Sequence, residues 1–274
     1  MASSILEAQV KSTEICSLTM VRRVAAMLDL DIAAFSEGDI LPKGWHFFML
    51  AGETRKSELR KDGFPGLGVP MPDLGGLTRL LLGGRTVAYL GDIVIGSKVE
   101  KTSFVKSITE KTTKNGQMAI VTLQHELRPV TVESPAIVEM QTYILLEEQK
   151  VQNKTIIEIF ESQLPISNHQ KQFTPDETLL FQYSALGFNS HKIHLDRNYA
   201  QNVEGLPDLV VNGGLATLLM TEFIRNDLTL DLAEIKVKHV APLYCNRPLT
   251  IVSEGNELKI FDFKNELAVV MERR

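Results

Sequence analysis

The chain has 274 residues, 44% of them apolar and 23% charged, ordinary globular usage that excludes disordered, collagen-like and disulfide-scaffold classes. Thirty-four acidic residues against 29 basic ones leave a formal charge of −5, the opposite of the basic surplus a dedicated nucleic-acid binder carries. Two cysteines, Cys16 and Cys245, are too few for a disulfide framework or a cysteine-rich metal site. No apolar run approaches the roughly 20 residues of a membrane span, and the opening Met-Ala-Ser-Ser-Ile-Leu-Glu has no basic region before a greasy core. A cytoplasmic chain with neither membrane nor nucleic-acid partner is expected.

Leu18, Val21, Val24, Ala25 and Leu28 fall at three- and four-residue steps and predict a helix from Leu18 to Leu30, with Arg22 and Arg23 on its outer face. The apolar patch Trp45 to Leu50 is a core segment, and Trp45, the one tryptophan, reads as core. Residues 52–72 are broken by Gly52, Gly63, Pro65, Gly66, Gly68, Pro70 and Pro72, while Arg55, Lys56, Arg60 and Lys61 add positive charge. An ordered loop this long usually has a function. A helix is expected around Leu74 to Leu82. From Arg85 the period becomes two: Val87, Tyr89, Ile93, Ile95, Val99, Phe104, Val105 and Ile108, then Met118 to Leu123, then Ile137 to Leu145, read as strands, with Lys114-Asn115-Gly116 as a hairpin turn. A further strand is expected from Thr155 to Ser162. Beyond a polar motif at Phe188 to Tyr199, Leu215 to Arg225 predicts a buried helix. Strands follow at Ile235 to Val240, Leu249 to Ser253, Leu258 to Lys264 and Leu267 to Glu272, with turns at Glu254-Gly255-Asn256 and Lys264-Asn265.

Each half therefore offers an apolar helix followed by a meander of strands. Asp92 to Val99 aligns with Pro242 to Leu249 by pattern, with apolar residues in matching slots. The expected architecture is α+β, a double hot-dog in which antiparallel sheet wraps two central helices. Its modules are residues 1–150 and 151–274.

The densest polar cluster is Phe188-Asn189-Ser190-His191-Lys192-Ile193-His194-Leu195-Asp196, with two of the six histidines three residues apart. A loop with two surface imidazoles is an equal reading from spacing alone. Zinc is weakly supported, since no third ligand is near. A Gly-x-Ser-x-Gly elbow, a phosphate-cradling loop and a dinucleotide fingerprint are absent, and Gly66-Leu67-Gly68 before Pro70 is a turn. What favours chemistry is a second segment, Val211-Asn212-Gly213-Gly214, opening an apolar helix. An imidazole beside helix N–H donors is what enoyl-thioester hydration needs: a base for water, and donors for the enolate oxygen.

Residues 181–200, with Asn189, His191 and His194, and residues 204–215, with Asn212-Gly213-Gly214, resemble the MaoC-like, hot-dog (R)-specific hydratases and dehydratases. The branch they are similar to contains mesaconyl-CoA and itaconyl-CoA hydratases and mitochondrial 3-hydroxyacyl-thioester dehydratases. Leu41 to His46, Ser57 to Pro65 and Gly83-Gly84-Arg85 resemble that branch too. The resemblance implies His194 as the catalytic histidine, Asn189 in place of a catalytic aspartate, His191 as a second imidazole, and Gly213 as the N–H that holds the thioester oxygen. Asn212 and Gly214 stand where relatives often carry His and Pro. The resemblance further implies that the second module carries the motif while residues 42–85 shape the acyl-CoA site. Arg85 and Arg60, with Arg55 and Lys56, are candidates for CoA phosphates or a distal carboxylate, against a reading as solvated charges.

The expected function is therefore an acyl-CoA hydratase for a short branched dicarboxylic acyl-CoA of itaconyl or mesaconyl type. It would use no cofactor beyond the coenzyme A of its substrate, and a homo-oligomer is left open. The alternatives are a hot-dog thioesterase, which lacks an acid at the helix start where Asn212 sits, and a non-catalytic acyl-CoA-binding protein.

Overall fold

A computed structural model describes residues 8–113, 116–147, 164, 167 and 169–274. The chain runs β1 (Val10–Ile15), α1 (Leu18–Met27), β2 (Arg79–Tyr89), β3 (Lys98–Thr113), β4 (Gly116–Pro129) and β5 (Ile137–Leu146). It continues as β6 (Gln170–Phe173), α2 (Glu177–Leu186), α3 (Arg197–Asn202), α4 (Gly213–Phe223), β7 (Glu234–His239), β8 (Leu249–Glu254), β9 (Glu257–Phe261) and β10 (Leu267–Arg273). Among the described residues, ten strands join one antiparallel sheet in the order β1-β3-β4-β5-β2-β7-β10-β9-β8-β6. The order of the first five is repeated in mirror sense by the second five. The two sets meet where β2 pairs with β7, from Gly84↔Lys238 to Ala88↔Glu234.

The duplication extends to the loops. An isolated bridge joins Ile40 to Val94 in the first half and Val210 to Tyr244 in the second. Gly96 and Asn246, two residues past each bridge, both hold positive φ, +93° and +58°. These are equivalent slots in the alignment of residues 92–99 with 242–249.

Helix α4 fills the centre. From Leu215 to Phe223 every side chain is buried, the pattern of a helix that is covered all round. It packs within a core drawn from both halves, including Trp45, Val87, Ile235 and Met271.

The first half differs from expectation. Leu77, Leu80, Leu81 and Leu82 do not form a helix. Gly75 and Gly76 sit at φ +63° and +88°, and from Arg79 the chain is β2, with Leu80 opposite Leu145 and Leu82 opposite Tyr143. A run of leucines satisfies either period, and pairing with β5 decided it. In the topological place of α4, directly after the Ile40 bridge, the first half has only a short 3₁₀ segment, Trp45–Leu50. Trp45 is fully buried there, and its indole N–H donates to Glu222 Oε1 at 2.7 Å. Ile93 and Ile95, expected in a strand, lie in the bridge loop after β2. The strand expected from Thr155 to Ser162, the boundary at 150/151 and the turn residues 114 and 115 fall outside the described residues, although β3 and β4 pair out to Thr113↔Gly116.

Candidate active site

The motif loop is a tight turn followed by a 3₁₀ segment, Lys192–His194. Asn189 accepts the His191 N–H at its own Oδ1 (3.1 Å), a local side-chain turn that uses up its carbonyl oxygen. The segment is tied to the entry of α4 in both directions. Val210 N–H donates to the Ile193 carbonyl at 2.9 Å, and His194 Nδ1 lies 2.7 Å from the Val210 carbonyl oxygen. A carbonyl only accepts, so Nδ1 carries the hydrogen and Nε2 keeps its lone pair. Burial, with the neighbouring His191, pushes the His194 imidazole well below its ordinary pKa, to about 3. At neutral pH it is an uncharged base.

His191 stands edge-on to His194, with ring centroids 5.5 Å apart. Its Nε2 is 3.8 Å from Asp62 Oδ2, and Phe64 flanks its ring. Burial lowers its pKa to about 4, against the pull of Asp62.

Two residues past Val210, α4 begins without a side-chain cap. Asn212 is buried at the N-cap, but its Nδ2 turns to donate to Ser184 Oγ (3.2 Å), and its Oδ1 has no hydrogen-bond partner. The first-turn N–H groups are thus left for something other than this side chain. Space is tight at Gly213 and closed at Gly214. A Cβ on Gly213 would come 3.1 Å from the His239 ring and 3.0 Å from Leu82, and one on Gly214 would lie 2.1 Å from the Tyr183 hydroxyl. Tyr183 occupies the space that a larger residue at 214 would need.

Arg85 and Arg60 are not the free cations that sequence reading suggests. The Arg85 side chain is only 10% exposed and donates through Nη1 to Glu139 Oε1 at 3.1 Å. Glu139 also accepts from His46 Nε2 (2.7 Å) and Gln141 Nε2 (2.7 Å), and Tyr143 donates to Gln141. Burial raises the Glu139 pKa, but Arg85, His46 and Gln141 outweigh it and hold the carboxyl at about 2. Arg85 Nε remains buried without a partner, and Nη2 approaches the Gly214 position beside Tyr183. Arg60 pairs with Asp62 at 3.0 Å, donates to the Thr78 carbonyl and covers Phe64. Arg55 and Lys56 are exposed.

The first-half loop touches the motif directly. Lys192 N–H donates to the Asp62 carbonyl (2.8 Å), Ser190 Oγ to the Gly63 carbonyl (2.7 Å) and Lys192 Nζ to the Lys61 carbonyl (2.7 Å). His46, Asp62 and Tyr183 lie in segments that carry the family resemblance but were not singled out as site residues, and Glu139 and His239 had no sequence signal; only the fold gathers the five. Among the described residues, no group of three or more His, Cys, Asp or Glu is placed to hold a metal ion, and no helix is long and apolar enough to cross a membrane.

Residues 44–245 match the family model described as hydroxyacyl-thioester dehydratase type 2. The chain belongs to the type 2 hydroxyacyl-thioester dehydratase family. It is 30% identical over 244 residues to a mesaconyl-C(4)-CoA hydratase of Chloroflexus aurantiacus, covering 89% of this chain and 85% of that one. It is 26% identical over 249 residues to a mitochondrial hydroxyacyl-thioester dehydratase type 2 of Schizosaccharomyces pombe, covering 83% and 82%. Among solved structures, a MaoC-like dehydratase from Phytophthora capsici aligns with a TM-score of 0.68 at 13% identity, over 100% and 99% of the two chains. A Mycobacterium tuberculosis protein described as a double hot-dog aligns at 0.58 and 12% identity, over 97% and 94%. The fold of this family member is therefore the α+β double hot-dog, and it is a hydro-lyase of the hydratase/dehydratase type acting on acyl thioesters.

Proposed function

We propose that this enzyme hydrates, and in reverse dehydrates, a short enoyl thioester of coenzyme A, with a branched dicarboxylic acyl group of the itaconyl or mesaconyl type. The observation that carries the reading is the His194 imidazole, buried, neutral and fixed with its Nε2 lone pair available, tied through Val210 to the uncapped start of α4.

In hydration, His194 Nε2 takes a proton from water as the water oxygen bonds to Cβ. The π electrons move to the thioester oxygen, where the Gly213 N–H and its neighbours in the first turn of α4 meet the developing charge. The His194 imidazolium then returns its proton to Cα, which restores the neutral base and completes the 3-hydroxyacyl thioester. Asn189 cannot accept water's proton, and its carbonyl oxygen is engaged with His191, so its amide orients while the imidazoles move protons. Arg85 Nε and Nη2, with the Tyr183 hydroxyl, form the donor set for an acyl carboxylate, which would be costly to bury alone. Arg60 is engaged by Asp62, which leaves the exposed Arg55, Lys56 and Lys61 of that loop for CoA phosphates. The dicarboxylic preference also draws on the mesaconyl-C(4)-CoA hydratase relative.

The test is absorbance of the conjugated enoyl thioester over a panel that includes dicarboxylic acyl groups, with thiol release followed in parallel. Loss of conjugation without free thiol is expected. Free thiol would mean a thioesterase, and neither signal would mean a binding protein. In the same assay His194→Ala should lower kcat by at least about 10²-fold, the usual scale of lost acid–base catalysis.

A further inference from the structure

The motif loop supplies two imidazoles and an amide but no carboxylate of its own aimed at them. Asp196, the acid within it, is spent capping α3 through the Tyr199 N–H. A carboxylate nonetheless reaches the site from the other half of the molecule. We infer that Asp62, carried by the first-half loop, is the positioning carboxylate of the imidazole pair: it fixes His191 against His194 and offsets the positive charge that forms there when water gives up its proton.

The geometry is built for one orientation. Asp62 Oδ1 accepts the Phe64 N–H at 3.0 Å, which leaves Oδ2 facing His191 Nε2 at 3.8 Å, within ion-pair range. Its backbone carbonyl is held by the Lys192 N–H, so Asp62 grips the motif loop through main chain and side chain at once. The next residue, Gly63, sits at φ +79°, and a Cβ there would fall 2.3 Å from the Ser190 carbonyl. That close approach is what lets a loop from one half reach the motif of the other. An opposite charge at this range favours the protonated imidazole. Burial keeps the resting imidazole uncharged against that pull, and Arg60, 3.0 Å from the same oxygen, adds to the effect. The groups facing His191 are Asp62 and Arg60 from the loop and His194 from its own turn, and Tyr199, hydrogen-bonded to Glu204, feels the same carboxylate. Asp62 touches no reacting atom in this scheme. It acts through His191.

This rests on the hydratase reading, and the experiment separates the two. Asp62→Asn keeps an oxygen for the Phe64 N–H and removes the charge that faces His191, together with the Arg60 ion pair. We expect kcat to fall about tenfold or more with KM within about threefold. The onset of His191 protonation, read from the ring-proton NMR shift over the pH range in which the fold persists, should move to lower pH in Asp62→Asn and to higher pH in Arg60→Met. Near-wild-type kcat in Asp62→Asn, or an unmoved His191 titration, overturns the inference. Equal losses in kcat and KM together with a lowered Tm would assign Asp62 to loop anchoring and likewise overturn it. An inactive wild-type enzyme, or full activity in His194→Ala, would instead remove the hydratase reading itself.

Discussion

Arg85 shows how a residue's neighbours decide what its charge can do. Its guanidinium is already matched by Glu139, so replacing it by Met removes a donor to substrate and also strands a buried carboxylate, a loss of about 3–5 kcal/mol. The useful comparison is therefore Arg85→Met/Glu139→Met, which removes both charges together. We expect that pair to lose kcat/KM for a dicarboxylic enoyl-CoA by at least about tenfold more than for crotonyl-CoA, on the scale of one charge-assisted hydrogen bond. A uniform loss would return Arg85 to a structural role. Gly214 is the companion case. A methyl there meets the Tyr183 oxygen at 2.1 Å and its ring carbon at 3.1 Å, so Gly214→Ala should cost about 1–3 kcal/mol by overpacking. In a Tyr183→Phe background the oxygen is gone, and denaturant melts should show a smaller penalty. An equal penalty in both backgrounds would place the cost elsewhere in the turn.

The elements legible in the sequence were those whose period had a single reading. α1, α4 and the strands β7 to β10 follow from apolar spacing and from turn residues such as Gly255 and Asn265, both at positive φ. The stretch Leu74 to Leu82 forms β2 from Arg79 where a helix is expected, because four leucines in six residues fit either period and the deciding partner, β5, lies about sixty residues away. α2 gives little periodic signal, since Phe181 is exposed while Leu179, Leu180, Tyr183 and Ser184 are buried. At the site, the motif positions were legible because they are contiguous. That Glu139, Asp62 and Tyr183 meet there was not, since no local pattern relates a β5 carboxylate, a loop acid and an α2 phenol. The seam between halves was equally hidden. At Gly84, after a register shift in β2, a Cβ would stand 2.4 Å from the Val237 carbonyl oxygen. A side chain at Gly84 therefore has no room against the β7 backbone. Gly84→Ala should destabilise the chain by about 1–3 kcal/mol, measured by urea unfolding. An unchanged midpoint would mean the seam tolerates local separation.

At the scale of the whole molecule, one sheet and one central helix join both halves, so protonation anywhere in that core is felt as global stability. Four histidines are held well below their ordinary pKa: His125 and His191 at about 4, His194 and His239 at about 3, burial being the largest cause in each. In the unfolded chain each titrates near 6.5. Between those limits the unfolded state binds more protons, so the stability tied to keeping these rings neutral is complete above about pH 6.5 and is lost as pH falls toward 4. Each contributes at most about 1.4 kcal/mol per pH unit, and four together about 5, a steep slope against a total stability of about 5–15 kcal/mol. Glu139 adds to the loss in the same direction lower down, as pH falls from about 4.5 toward 2. Urea midpoints should therefore be flat from pH 8 to 7 and drop sharply between 6 and 5. His239 makes the cleanest test, because its Nε2 is buried without a partner and sacrifices no hydrogen bond when replaced. His239→Phe should reduce the acid slope by about one proton while leaving stability at pH 8 equal or higher. A profile that stays flat down to pH 5, or a variant with the wild-type slope, would mean that these imidazoles reach water in the folded state and are not held neutral by the core.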